Sequence, residues 1–297
     1  MANLILLLSI VMPSGIVLAV LYGLRYLRSR DKRRSPLTLK VLNLPGEGLR
    51  REIEKHDDGF YENAALAMMI GPIVLATWLL VRMDRVVPDW RLVEFGVGDA
   101  TIVLLGASAL AWCTVRLVQH SHKRRLYKQG LSAELAVAQC LMPLMADGLA
   151  VFHDFPADKF NIDHIVIGRS AVFAIETKSR KKPKEKGRQS ARVSYDGERL
   201  TFPTHAETKP IAQAHYQAQW LRKFLNSGVG EPIRVIPVVA LPGWYVESTA
   251  SRAAVFVTNC HNPAFMAGNS FGAPFADEMR KRISHALIER YPDEPEP

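Results

Sequence analysis

The chain has 297 residues, 48% of them hydrophobic and 23% charged, with 38 Lys and Arg against 29 Asp and Glu, a formal charge of +9 and a mean hydropathy of +0.01. That length suits one or two domains with ample apolar material for a core, and the composition excludes a wholly disordered or collagen-like chain. The basic excess is unevenly placed: residues 1–130 hold 18 Lys and Arg against 11 Asp and Glu, whereas the remainder holds 20 against 18.

Residues 4–24 form an uncharged apolar stretch of 21, residues 63–81 a second of 19, and residues 100–118 a third, broken only by Arg116 near its end. A spanning helix needs about 20 such residues to cross the ~30 Å hydrocarbon core. Core helices of a soluble domain normally keep a polar face at 3.6-residue spacing, and the runs ATIVLLGASALAW and AALAMMIGPIVLATWLLV have none. Three membrane spans are therefore expected. Pro13 and Pro72 are placed to kink their helices, and Gly106, Ala107, Ser108 and Ala109 offer a small-residue packing surface.

The loops set the orientation. Between the first two runs lie Arg25, Arg28, Arg30, Lys32, Arg33, Arg34, Lys40, Arg50, Arg51 and Lys55, and after the third come Lys123, Arg124, Arg125 and Lys128. The loop between the second and third has only Arg82, Arg85 and Arg91, accompanied by Asp84, Asp89, Glu94 and Asp99. Positive charge marks the cytoplasmic side, so the first loop and everything after residue 119 are expected inside, with the N-terminus and second loop outside. A cleaved leader would need a basic start and a small-x-small site; Met1, Ala2 and Asn3 precede the first run and Leu-Arg-Tyr-Leu-Arg follows it. The reading is a multi-pass protein of the inner (plasma) membrane: a membrane region over 1–119, a cytoplasmic domain over 120–292 and a frayed tail over 293–297.

From Gly130 the texture changes. Ser132 is a plausible N-cap for a helix running to Asp147-Gly148. Strand-like runs follow at 149–152, 162–167 and 171–177, separated by turn residues. A basic stretch, 178–192, leads to a hairpin around Tyr195-Asp196-Gly197-Glu198, then a helix over 211–225, strands at 233–241 and 253–258, and a last helix over 275–290. This order predicts an α/β domain with a central sheet. Cys113, Cys140 and Cys260 form no CxxC pair and no even-numbered framework, which argues against a disulfide scaffold or a Cys-rich zinc site.

The chemically informative residues are Asp163, Glu176 and Lys178. Strand alternation puts Glu176 and Lys178 on one face with Thr177 turned away, and a hairpin across Gly168 would bring Asp163 to them. Two acids so placed can hold Mg2+, with the Thr177 carbonyl as a further oxygen ligand and Glu134 joining through water. Such an ion would acidify water and offset charge building on a phosphodiester, while Lys178 positions the attacking water or neutralises the phosphorane. On spacing alone the simpler account is an exposed strand-end ion pair, since E-x-K is a common tripeptide.

The order of the pieces adds to this. Gly130-Leu-Ser-Ala-Glu134, Phe152-His-Asp154, Asn161-Ile-Asp163-His164-Ile-Val-Ile-Gly168, Val172-Phe-Ala-Ile-Glu176-Thr-Lys178 and Lys209-Pro-Ile-Ala-Gln213 together resemble the nuclease-related domain, NERD, a branch of the restriction-endonuclease-like superfamily. The resemblance covers roughly residues 128–242. It implies a restriction-endonuclease-like α/β fold, a central mixed sheet flanked by helices, with a core that cuts nucleic acid using Mg2+ or Mn2+. Glu134, Asp163, Glu176 and Lys178 match the active-site positions, and Gln213 a helix glutamine near the substrate. Related nucleases carry Tyr four residues after that glutamine; here Gln217 stands there and Tyr216 precedes it.

Other chemistries are weaker. His153, His164 and His215 form no HExxH or three-His pattern, and neither a G-x-S-x-G elbow nor a Walker A loop occurs. Trp220, Leu221 and Leu225 read as packing rather than base stacking. Arg180, Lys181, Lys182, Lys184, Lys186 and Arg188, following the catalytic strand, are candidates for tracking a nucleic-acid backbone; a solvated loop or one drawn to anionic lipid is the other reading. The expected partners are nucleic acid, DNA ahead of RNA, and the lipid bilayer, with a homo-oligomer also open. A membrane-tethered binding or signalling module with an inactive nuclease fold is the alternative to an enzyme.

Overall fold

The computed structural model describes residues 42–82, 94–184, 189–250 and 253–292, with residues 12, 15–17, 19, 20, 22, 23 and 26. The apolar run at 4–24 lies largely outside the described residues, as do Lys186, Arg188 and the tail at 293–297. Two compact units emerge, Met1–Thr38 with Glu54–Arg125, and Leu39–Ile53 with Leu126–Pro297.

Helix α1 spans Glu47–Arg82 and α2 spans Val97–Ala146. Both are long and apolar enough to cross a membrane, and their most apolar windows are almost wholly exposed. Within the first unit they pack through small residues. A β-carbon on Gly106 would overlap Val74, and one on Gly59 would overlap the His120 ring, so the absence of side chains there sets the close approach. At one end of this pair Asp99 accepts from Trp78 Nε1 (2.9 Å), Arg82 Nε (3.0 Å) and the Gly96 amide (2.7 Å). Farther along the same pair, Arg124 bonds Asp57, and His56 Nδ1 meets His120 Nδ1 at 3.1 Å.

One expectation is corrected here. Ser132 does not begin a helix: α2 runs unbroken through it, and the Ser132 hydroxyl donates to the Lys128 carbonyl at 2.9 Å. Residues 119–131 are mostly good helix formers, and the single Gly130 costs only about 1 kcal/mol, too little to break the helix.

The second unit is built on a five-stranded mixed sheet. Strands β1 (Ala150–Pro156), β2 (Asn161–Ile167) and β3 (Val172–Thr177) form an antiparallel meander. Strand β7 (Val235–Ala240) joins β3 in parallel, and β9 (Phe256–Thr258) joins β7 likewise. Every residue of β3 is buried, as its continuous Val-Phe-Ala-Ile run requires of a strand covered on both faces.

Helix α3 (Lys209–Val229) covers one face through Ala218, Leu221, Leu225 and Val229, packed on Ile165, Ile167, Val172 and Ala174. Gly230 ends it in the left-handed conformation at φ 78°, a backbone state in which a β-carbon would be strained. Helix α4 (Asp277–Arg290) adds Ile283 and Leu287 to the same core. The other face is covered by Val137, Leu141 and Leu144 of α2, against Val166, Phe173, Ile175 and Val238.

A second, four-stranded sheet goes beyond the single hairpin that the sequence predicts. It comprises β4 (Arg192–Tyr195), β5 (Leu200–Thr201), β6 (Ala206–Glu207) and β8 (Tyr245–Ser248). The hairpin expected around 195–198 is present, its turn at 196–199, with Asp196 Oδ1 accepting from the amides of Glu198 and Arg199.

Candidate functional site

The pairing of β2 with β3, His164 against Ile175, sets Asp163 level with Glu176 where the two strands end. Asp163 Oδ2 accepts from the Thr177 amide at 2.6 Å, tying the acid to the strand that carries Glu176. Lys178 lies on the Glu176 side, as alternation requires, and its ammonium bonds both Glu176 Oε1 and Gln213 Oε1, the latter at 3.0 Å. Glu134 reaches the same cluster from α2 and is buried. The structure thus brings together all five expected catalytic residues from four elements: α2, β2, the end of β3, and α3.

The electrostatics follow from this crowding. Burial first, then the charges of Asp154 and Glu176, push the Glu134 carboxyl up to about 8, with Lys178 opposing. Burial, then Glu176 and Glu134, raise Asp163 well above the usual carboxylate range, against the Thr177 hydrogen bond and Lys178. Several acids share one ammonium, so protons stay on the site near neutral pH.

Two participants were missed in the sequence. Gln217, 2% exposed, donates from Nε2 to Glu176 Oε2 at 2.6 Å. It is the one polar member of the buried α3 stripe Ile211, Ala214, Gln217, Ala218, Leu221 and Leu225, and that interruption was a readable signal. Its Oε1 is buried without a hydrogen-bond partner among the described residues. Asp154 is the other. The flanking pairs His153 with His164 and Phe155 with Ile162 place it across from Asp163, and it is buried with φ 44°, unusual for a residue other than glycine. Asp154 Oδ2 accepts from the Gly48 amide in the first turn of α1 (2.7 Å), where a carboxylate suits a helix N-terminus. Its Oδ1 accepts from Asn161 Nδ2 at 2.9 Å.

Among the described residues no group of three or more His, Cys, Asp or Glu is arranged to enclose a metal ion. A closed cage is therefore absent, and the donors suit a hard cation that sits on one or two carboxylates and completes its shell with carbonyl oxygen and water, as Mg2+ does. The excess of buried acid over base is the feature that fits a cation. His153 and His164 pair with each other, Nδ1 to Nδ1 at 2.8 Å, and burial, then His153, holds His164 down to about 3. His215 bonds Gln219, so the three histidines share no site.

The basic segment is partly tied down. Arg180 forms a two-pronged bond with Glu207, 2.8 Å on each arm, and Lys182 lies 6.0 Å over the Trp244 ring. Lys181 and Lys184 are exposed.

Residues 129–242 match the family model of the nuclease-related domain, NERD, so the chain carries that domain over the segment containing Glu134, Asp163, Glu176, Lys178 and Gln213. No curated protein and no solved structure matches the chain.

Proposed function

We propose that this chain is a membrane-anchored nuclease of restriction-endonuclease-like architecture, hydrolysing nucleic-acid phosphodiester bonds with Mg2+ or Mn2+. The observation that carries the reading is the convergence of Asp163, Glu176 and Lys178 at one end of the mixed sheet, with Gln213 bonded to the same ammonium. Asp163, Glu176 and the Thr177 carbonyl would hold the cation, which when bound supplies Lewis-acid activation of water and of the phosphoryl oxygens. Lys178, fixed between Glu176 and Gln213, offsets the negative charge that grows on phosphorus during attack. Glu134 retains a proton near neutral pH and is suited to manage proton transfer in the site. Gln213 positions the substrate.

A second reading has its own support. Both carboxylate oxygens of Glu176 are already bonded, one to Lys178 and one to Gln217. A domain that keeps this closure would hold nucleic acid without cutting it. Full-length protein in nanodiscs, incubated with single- and double-stranded DNA and RNA with and without Mg2+ or Mn2+, separates the two. Metal-dependent cleavage lost in Glu176→Gln and Lys178→Ala is expected. Cleavage that persists in both variants overturns the catalytic assignment, and binding without cleavage favours the second reading.

The anchoring reading rests on the exposed apolar sides of α1 and α2, where Met68, Leu104 and Leu105 face away from protein, and on the basic loops flanking the apolar runs. A reporter active only in the cytoplasm, fused after Pro297, should be active; silence there with an active external reporter overturns the orientation.

A further inference from the structure

Beside the carboxylate site α3 carries aromatic side chains that the fold does not fully use. Tyr216 is 59% exposed, and among the described residues nothing bonds its hydroxyl. Its ring lies 5.4 Å from that of Phe160, and Phe160 lies 5.7 Å from Trp220, edge to face. Trp220 is locked by stacking on Phe224 at 5.4 Å and by donating from Nε1 to Asp158 Oδ2 at 3.0 Å. The inner rings are packed and the outermost is open.

The position of this edge relative to the chemistry gives it meaning. Gln213 and Tyr216 are three residues apart on α3, so their β-carbons are neighbours at about 5–6 Å. Gln213 bonds Lys178, and Gln217, next to Tyr216, bonds Glu176. Gln217 Nε2 also contacts the Asn161 carbonyl at 3.4 Å, one residue from Phe160. Exposed Lys159 flanks the aromatic edge.

We propose that Tyr216, backed by Phe160 and Trp220, is a base-stacking shelf that selects unpaired nucleic-acid strands at this site. The inference rests on the phosphodiester reading above and names its substrate class. In a duplex the base faces are covered by their neighbours, whereas an unpaired base can lay its face on Tyr216 while its phosphate lies beside Gln213 and Lys178. Stacking of this kind tolerates any base, so the shelf discriminates strand state and not sequence.

The test is equilibrium binding of fluorescent 20-nucleotide single strands and matching duplexes to the full chain in nanodiscs, in EDTA so that no cutting occurs. Wild type should prefer the single strand. Tyr216→Ala should weaken single-strand binding about 10-fold, within the range that one base–aromatic stack supplies, and leave duplex binding unchanged. Tyr216→Phe, which keeps the ring, should bind as wild type. The exposure of Tyr216 means that the variants should melt with wild type. Single-strand binding untouched by Tyr216→Ala, equal loss for both substrates, failure of the Phe variant, or no single-strand preference in wild type each overturns the shelf. If Glu176→Gln stops cleavage while Tyr216→Ala binds normally, the shelf alone fails. If wild type cuts nothing in any metal yet binding depends on Tyr216, the cutting reading alone fails.

Discussion

Replacing Glu134 by Gln isolates the charge conflict at the centre of the site. Its carboxyl, ordinarily near 4.5, is pushed up to about 8, chiefly by burial and then by Asp154 and Glu176. Below pH 4.5 the group is protonated whether the chain is folded or not. Between there and about 8 the folded chain keeps a proton that the unfolded chain gives up, so stability falls as pH rises through this window and levels off above it. At about 1.4 kcal/mol per unit the ceiling is about 5 kcal/mol at pH 8, and about 2–3 kcal/mol once the neighbouring acids share the titration. Glutamine keeps the shape of the neutral acid and cannot ionise. Since about 1 kcal/mol moves the midpoint of a domain this size by about 2–4 °C, Glu134→Gln should melt about 5–10 °C above wild type at pH 8 and level with it at pH 5. Intrinsic-fluorescence melting of the detergent-solubilised chain in EDTA at both pH values measures this. A difference that is the same at both pH values, or a variant that melts lower at pH 8, would refute the reasoning.

Gln217→Leu removes the donor to Glu176 and leaves a buried carboxylate oxygen without that hydrogen bond, so it should cost about 1–3 kcal/mol of stability and lower Mg2+-dependent cleavage at least about 10-fold; melting and initial rates read the two effects apart. Leu221→Ala, at a fully buried α3 position, should cost about 2–5 kcal/mol in denaturant unfolding. Gly106→Ile drives a side chain into Val74 and should lower the yield of monodisperse protein in detergent, whereas Gly71→Ala, where a β-carbon meets open space, should not.

The sequence made legible those features that depend on short-range patterning. Alternation put Glu176 and Lys178 on one face, the Gly168 turn brought Asp163 to them, and both relations hold in the sheet. Pairings between distant segments were less accessible. Nothing local announces that Glu207 will capture Arg180, or that β8 will run parallel to β4 across some fifty residues. Asp154 stands in the Phe152-His-Asp154 run, but no local pattern marks its role, because one of its partners is the Gly48 amide, 106 residues earlier, between the first two apolar runs. The Ser132 boundary failed for a different reason. Serine is compatible with a cap, but the residues before it favour a helix enough to carry α2 through.

The same charge conflict explains how a proton and a cation would compete for this site. Burial and the neighbouring acid charges raise Glu134 and Asp163 beside a single ammonium, which favours the protonated form of both. A divalent cation on Asp163 and Glu176 would supply the missing positive charge by another route, drawing those protons off. Cation binding would then release protons, so apparent cation affinity should rise with pH through about 8, where Glu134 is half ionised. In Glu134→Gln one carboxylate no longer takes part in that exchange, and the pH dependence of cation binding becomes shallower even though Asp163 and Glu176 are untouched.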